Sequence, residues 1–452
     1  MVARKWLDRK SRILNINPAH FLIFGFLGLI LVGTLLLMLP IATSDRHHLS
    51  WIDALFEATS AVCVTGLAVV DTGTTFTLFG QLVLLVLIQL GGWGFMTSGI
   101  LMFLLLGKRI GFKERLILKE SINSFSLHGI ISLVKRIILI TLIVECLGAV
   151  VLAIRWSFDM PWPQAVYYGI FHSISAFNNA GFGLEPDSLS KWVGDPTVNL
   201  MVTFLFIVGG IGFTVILDVF QKKSVTKYSL HTKIILIVTL LLNTVSFFTI
   251  LALEYQNPST LGPLSFTEKL WAAYFQGVVP RTAGFNSIDV SQMTPSSLIY
   301  TIGIMFIGAS PGSTGGGIKI TTTALLLLAL WSFVTNRQEV CLFKRTIPRE
   351  QVYRAMSIAI SAVLFNFIIF FLLTITEKGA DVTKILFETV SAFGTVGMSA
   401  GLTGELSPIG RILITIMMFI GRVGPLTMAF ALVMNDKKRS RIRYAEEKIL
   451  IG

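Results

Sequence analysis

The chain has 452 residues, of which 53% are hydrophobic and only 14% charged, with a formal net charge of +12. About 25% of residues are charged in an average soluble domain, and apolar runs recur here from one end to the other, which excludes a single large soluble core. Each run of about 20 residues suits a helix crossing about 30 Å of hydrocarbon, so the expected class is an all-α, multi-pass membrane protein.

The basic start Met1–Arg12 resembles a signal peptide, but the apolar run after it, Phe21–Leu39, has full membrane length and predicts a retained first span. A half-apolar stretch too short to span, Trp51–Ala61, leads into the strip Val64-Thr65-Gly66. The second span is predicted over Leu78–Leu106, followed by a basic segment, Gly107–Lys135. The third, Ile137–Ile154, carries Glu145, read as packing or as an internal partner; nothing in its spacing argues catalysis. A second short helix, Ala165–Phe177, precedes Asn179-Ala180-Gly181. The fourth span, Val198–Leu217, reads as uninterrupted, and Gln221–Lys233 is again basic.

The fifth span is Ile234–Leu253, and the third short helix, Thr267–Val278, precedes Thr282-Ala283-Gly284. The sixth, Leu298–Val334, is broken at its middle by ten small residues, GASPGSTGGG. After Asn336–Arg354 come the seventh span, Ala355–Ile375, the fourth short helix, Asp381–Ala392, and the strip Thr395-Val396-Gly397. The eighth, Ile412–Met434, has Arg422 as its only basic residue and leads into Asp436–Gly452.

The linkers repeat. FEATSAVCVTGLAVVD from Phe56, FHSISAFNNAGFGLEP from Phe171, YFQGVVPRTAGFNSID from Tyr274 and FETVSAFGTVGMSAGL from Phe387 each open on an aromatic residue and place glycine ten positions later. A large apolar residue follows each glycine (Leu67, Phe182, Phe285, Met398), and three of the four carry Ser-Ala six and five positions before it. The chain therefore reads as four units of span, pore helix and span, over residues 1–112, 113–227, 228–345 and 346–452. Short helices that leave and re-enter one membrane face are re-entrant, and irregular backbone at that depth survives only when buried or lining water. The predicted architecture is eight transmembrane helices with four re-entrant pore helices around a pseudo-fourfold pore. Each short helix aims the negative end of its dipole at the axis. Glycine lets the strip turn carbonyl oxygens toward an ion, and a ring of them can replace the water shell of a potassium-sized cation.

Charge sets the orientation. With the amino terminus inside, five cytoplasmic segments hold 27 of the 37 Lys and Arg, whereas 15 of the 25 acidic residues lie outside. That asymmetry predicts two cytoplasmic termini. The basic inner face reads as headgroup contact or as a dock for a cytosolic partner, with no role for nucleic acid. Three scattered cysteines, Cys63, Cys146 and Cys341, offer neither metal spacing nor a disulfide framework. The six histidines form no HExxH or comparable constellation, so no enzyme is expected.

The strips, ASPGSTGGGIKITT (Ala309–Thr322) and GRVGPLT (Gly421–Thr427) together resemble the KtrB-type potassium-translocating subunits of the Trk/Ktr/HKT superfamily, over essentially the whole chain. The resemblance implies K⁺ uptake across a bacterial plasma membrane, one pore per chain, a homodimer of pores, and a cytosolic octameric RCK-type ring that binds nucleotide and controls opening. No nucleotide site is visible in this chain, so a nucleotide cofactor belongs to the partner. Related transporters with serine at the first strip glycine prefer Na⁺; Gly66 and its three counterparts favour K⁺. The strips are shorter than TVGYG, which leads us to expect some Na⁺ passage or dependence.

Gly308, Ala309, Ser310, Pro311, Gly312, Ser313, Thr314, Gly315, Gly316 and Gly317 oppose helix, at about 1 kcal/mol per glycine and about 3 for proline. The freed backbone needs water or protein partners, and a position across the permeation path below the strips supplies both: a gate. A phosphate loop would need lysine where Ile318 stands. A helix kinked through small residues and the paired broken helices of secondary transporters are the other readings. The resemblance sets Arg422 just below the strips near this loop, where a fixed cation would repel K⁺; a salt bridge, for instance to Glu145, is the plainer alternative. Lys319 reads equally as a gating residue or as a side chain snorkelling to a wet surface.

Overall fold

The computed structural model describes residues 18–44, 49–94, 130–222, 224–337, 339–425 and 427–428. Four times, helices enclose a short helix: α1 (Pro18–Leu37), α2 (Trp51–Cys63) and α3 (Leu78–Trp93); α4 (Ile130–Trp156), α5 (Trp162–Phe177), α6 (Pro196–Gly210) and α7 (Phe213–Gln221); α8 (Leu230–Glu254), α9 (Phe266–Val278), α10 (Pro295–Phe306) and α11 (Ile320–Val334); α12 (Arg349–Thr376), α13 (Val382–Gly394) and α14 (Pro408–Val423). The basic stretches 107–129 and 436–452, and the expected continuations of the second span past Gly94 and of the eighth past Met428, lie outside the described residues. The one sheet among the described residues is an antiparallel hairpin, β1 (Cys341–Leu342) with β2 (Arg345–Thr346).

Local chemistry starts the short helices. Ser50 caps α2, Ser265 and Glu268 form a reciprocal capping box on α9, and the Asp381 carboxylate accepts the backbone N–H groups of Thr383 and Lys384 at α13. Each cap satisfies donors that the first helical turn leaves unpaired. Each short helix also packs on the helix that follows the short helix of the preceding unit: α5 on α3, α9 on α6, α13 on α10, and α2 on α14. The last of these contacts closes the ring.

Helices α4, α8 and α12 are long and apolar enough to cross a membrane, and α1, α3, α10 and α11 are shorter apolar helices. Outward-facing Leu31, Leu35, Phe204, Leu240 and Phe367 are all exposed, as expected of a lipid-facing shell. The fourth predicted span is not continuous. It bends by 96° between α6 and α7, at Gly212 with φ +91°, correcting the expectation of an uninterrupted fourth span. In the first and fourth units the corresponding helices also end at glycines of positive φ, Gly94 (+79°) and Gly424 (+96°).

Candidate ion pathway

Each strip is built the same way. The residue two before the glycine is left-handed, with φ of 56°, 62°, 68° and 48° at Val64, Asn179, Thr282 and Thr395; the glycines follow at 93°, 71°, 75° and 87°. Left-handed backbone costs a non-glycine residue roughly 1–2 kcal/mol, so its fourfold recurrence needs restraint. The amides of Thr65, Ala180 and Val396 bond back to the carbonyls of Ser60, Ser175 and Ser391 at 2.8–2.9 Å. The same serine hydroxyls reach across the turn, to Gly66 N at 3.0 Å, Phe182 O at 2.7 Å and Met398 O at 2.6 Å. That is the work of the repeated Ser-Ala. The third unit has Val278 there and closes with Ala283 N on Val279 O at 3.1 Å.

The four glycines converge. A methyl group on Gly181 would lie 2.6 Å from Gly284 Cα; on Gly397, 3.0 Å from the Cα atoms of both Gly284 and Gly66; on Gly66, 3.1 Å from Gly181 Cα. The carbonyl of each middle residue faces the glycine of the preceding unit: Ala180 O faces Gly66, Ala283 O faces Gly181, Val396 O faces Gly284, and Thr65 O faces Gly397. Leu67, Phe182, Phe285 and Met398 are buried behind them and anchor the return.

Two further layers repeat that sequence reasoning missed. Nine positions before the glycines stand Glu57, His172, Phe275 and Glu388, all fully buried. Glu57 accepts the amides of Val69 (2.8 Å) and Val70 (3.3 Å). Glu388 accepts Ser399 Oγ (2.5 Å), Ala400 N (3.1 Å) and Thr403 Oγ1 (2.7 Å). These carboxylates hold the segment after the strip. In the second layer, Gly91, Gly209 and Gly421 press directly on the carbonyls of Val62, Phe177 and Phe393, near the ends of the short helices. Apolar surroundings give helices no water-exclusion drive, and small residues let backbones approach. The signal was the repeated Leu90-Gly91, Val208-Gly209, Ile307-Gly308 and Ile420-Gly421.

Gly308 breaks that pattern and opens the loop. Its amide bonds Ile318 O at 2.5 Å, pinching the loop at its base, and the residues between reach the other units. Ser310 N and Thr314 N donate to Gly210 O (3.0 Å) and Gly209 O (3.4 Å), and Gly312 O accepts Phe213 N (3.0 Å) at the start of α7. Thr314 Oγ1 bonds Asn179 Oδ1 (3.2 Å), Asn179 Nδ2 bonds Thr282 Oγ1 (3.0 Å), and Gly316 N bonds Thr395 Oγ1 (2.9 Å). A methyl group on Gly316 would meet Thr395 Oγ1 at 2.5 Å, so the approach needs glycine. Ala309 is buried, Pro311 O faces Gly212 just before α7, Ser313 Oγ folds onto Ser310 O at 2.6 Å, and Gly317 turns the chain with φ +67°.

Arg422 binds carbonyls rather than a carboxylate: Thr314 O in the loop and Gly91 O at the end of α3. The ion pairs among the described residues join Arg155 to Asp159 and Asp195, Lys191 to Glu185, Lys222 to Asp218 and Arg411 to Asp53; Arg422 is in none of them. The salt bridge to Glu145 is therefore corrected. Glu145 instead accepts Asn178 Nδ2 at 2.9 Å, bracing α5 against α4. Lys319 turns inward, its Nζ bonding Gly315 O at 2.8 Å, and does not snorkel.

Comparison with known proteins is decisive at the level of family. The sequence profile of the TrkH family, described as cation transport protein, matches residues 22–441. The chain belongs to this family. Among curated relatives of this TrkH-family chain, the Ktr system potassium uptake protein B of Bacillus subtilis is 47% identical over 98% of this chain and 99% of its own. That of Vibrio alginolyticus is 43% identical over 96% and 94%. The potassium/sodium uptake protein NtpJ of Enterococcus hirae is 38% identical over 97% and 98%. The crystal structure of the potassium transporter TrkH from Vibrio parahaemolyticus shares the fold, with TM-score 0.70 and 21% identity over 90% of this chain and 84% of that one. This TrkH-family member is thus a KtrB-type, multi-pass membrane protein and a cation transporter, not an enzyme.

Proposed function

We propose that this chain carries K⁺ across the bacterial plasma membrane, with both termini cytoplasmic, through a single pore on the axis of its four repeats. Eight membrane crossings enclose four re-entrant pore helices, and the strips 64–66, 179–181, 282–284 and 395–397 form the selectivity filter. The observation that carries this reading is the cyclic order in which each middle carbonyl faces the glycine of the preceding unit. Preorganised backbone dipoles of this kind replace a cation's hydration shell. Loop 308–317 with Lys319 and Arg422 is the gate, supported by hydrogen bonds from the loop to strip residues of the second and fourth units, by the close approach of Gly315 to Thr282 in the third, and by the Arg422 bridge to the first. Two chains pair, and a cytosolic octameric RCK-type nucleotide-binding ring docks on the basic cytoplasmic face. The names of the relatives, a Ktr system component and a potassium/sodium uptake protein, support K⁺ as cargo with Na⁺ as co-ion or competitor.

The 96° break between α6 and α7 favours a second reading, an ion-coupled transporter with its site between broken helices. Glycines at or next to the corresponding helix ends in all four units, rather than in two, support the pore. The test is gradient-driven K⁺ flux through purified protein in liposomes, with Na⁺ competition and Gly66→Ser alongside. The pore reading expects fast flux whose K⁺ preference over Na⁺ falls in G66S. Slow, saturating flux that requires a fixed coupling ion and ignores G66S would establish the transporter instead.

A further inference from the structure

Far from the strips, the end of α11 and the start of α12 part to leave a groove of 590 Å³. Its walls are apolar: Leu330 and Phe333 from α11, Tyr353 and Met356 from α12. Its charged lining is net cationic, with Arg337 just past α11 and Arg349 at the first turn of α12 against the single carboxylate of Glu339. The groove is preformed, because Ser332 Oγ bonds Glu339 O at 2.9 Å and ties the linker back onto α11. The hairpin 341–346 stands beside it, and Lys233 sits over the Phe343 ring at 5.9 Å.

Two independent features identify what fits. The linker 336–354 carries five basic residues against two acidic, so the mouth attracts an anion. Trp331, Phe343 and Tyr353 are 63%, 51% and 66% exposed around it, the aromatic belt that marks the level of lipid headgroups. An apolar slot opening at headgroup depth under an arginine collar has the chemistry of an amphiphile with an anionic head. We infer that this groove binds an anionic phospholipid of the cytoplasmic leaflet. One acyl chain lies between α11 and α12, and the phosphate sits on Arg337 and Arg349. Because α11 begins where the 308–317 loop ends, the lipid is wedged against the helix that carries the loop. The inference rests on the proposed orientation, with the linker 336–354 inside, but not on the filter or gate, so it stands or falls separately from the pore reading.

The test is native mass spectrometry of the full chain titrated with phosphatidylglycerol or phosphatidylcholine. One phosphatidylglycerol per protomer is expected to outlast phosphatidylcholine. The double variant R337Q/R349Q should weaken it roughly 30-fold, the loss of two cationic headgroup contacts. Leu330→Trp, which fills the slot and keeps both arginines, should also displace it, and R337K/R349K should restore most of the binding. Equal retention of the two lipids would overturn the inference, as would phosphatidylglycerol binding unchanged in the double variant. So would the absence of a stoichiometric lipid because a second copy of the chain or a soluble protein covers the groove.

Discussion

Glu388 is fully buried, yet three donors converge on it: the Ser399 and Thr403 hydroxyls and the Ala400 amide. All three belong to the segment that leaves the fourth strip, so the carboxylate fixes where Gly397 ends. Removing it strands buried donors at about 1–3 kcal/mol each. Glu388→Ala is therefore expected to lower thermal stability and to erode K⁺ over Na⁺ discrimination in liposome flux, whereas Glu388→Gln, which keeps one acceptor oxygen, loses less of both. Lower stability with intact discrimination would reduce Glu388 to a clamp on the outer loop. Little of this was legible beforehand. The strip glycines announced themselves by a fixed offset behind an aromatic residue, but the buttress position varies (Glu57, His172, Phe275, Glu388). Only the fold reveals that side chains so unlike support the same turn.

At the scale of elements, the four short helices lie within three residues of their predicted starts, because apolar stretch and terminal glycine agreed. The break between α6 and α7 escaped notice. Gly209, Gly210 and Gly212 sit among Val208, Ile211 and Phe213, and an apolar run hides a bend when the freed groups find partners off the helix. Here Gly210 O and Phe213 N are both taken by the 308–317 loop, so the bend and the loop need each other. Arg422 completes the arrangement, tying Thr314 O to Gly91 O. A charged hydrogen bond is worth about 1.5–3 kcal/mol, so Arg422→Ala should shift the loop away from the axis and raise K⁺ flux about 10-fold or more. A variant that folds, as judged by size exclusion, yet carries wild-type flux would deny the loop its role as a barrier.

For the whole molecule the property to test is which way it faces, since the proposed filter and gate exchange sides if the chain is inverted. The charge asymmetry predicts that the linker 336–354 lies inside, and the three native cysteines can report on it. Cys63 is buried at the end of α2, Cys146 is exposed midway along α4, and Cys341 is exposed in the hairpin. A membrane-impermeant maleimide needs an aqueous, ionisable thiol. Cys63 is shielded by protein and Cys146 faces hydrocarbon, leaving Cys341 as the reactive one. Labelling is expected in inside-out vesicles and absent in right-side-out ones, and Cys341→Ser should abolish it. Labelling from the outside would place the arginine-rich linker on the wrong face. The lipid groove would then meet the outer leaflet, and K⁺ arriving from outside would reach the 308–317 loop before the strips.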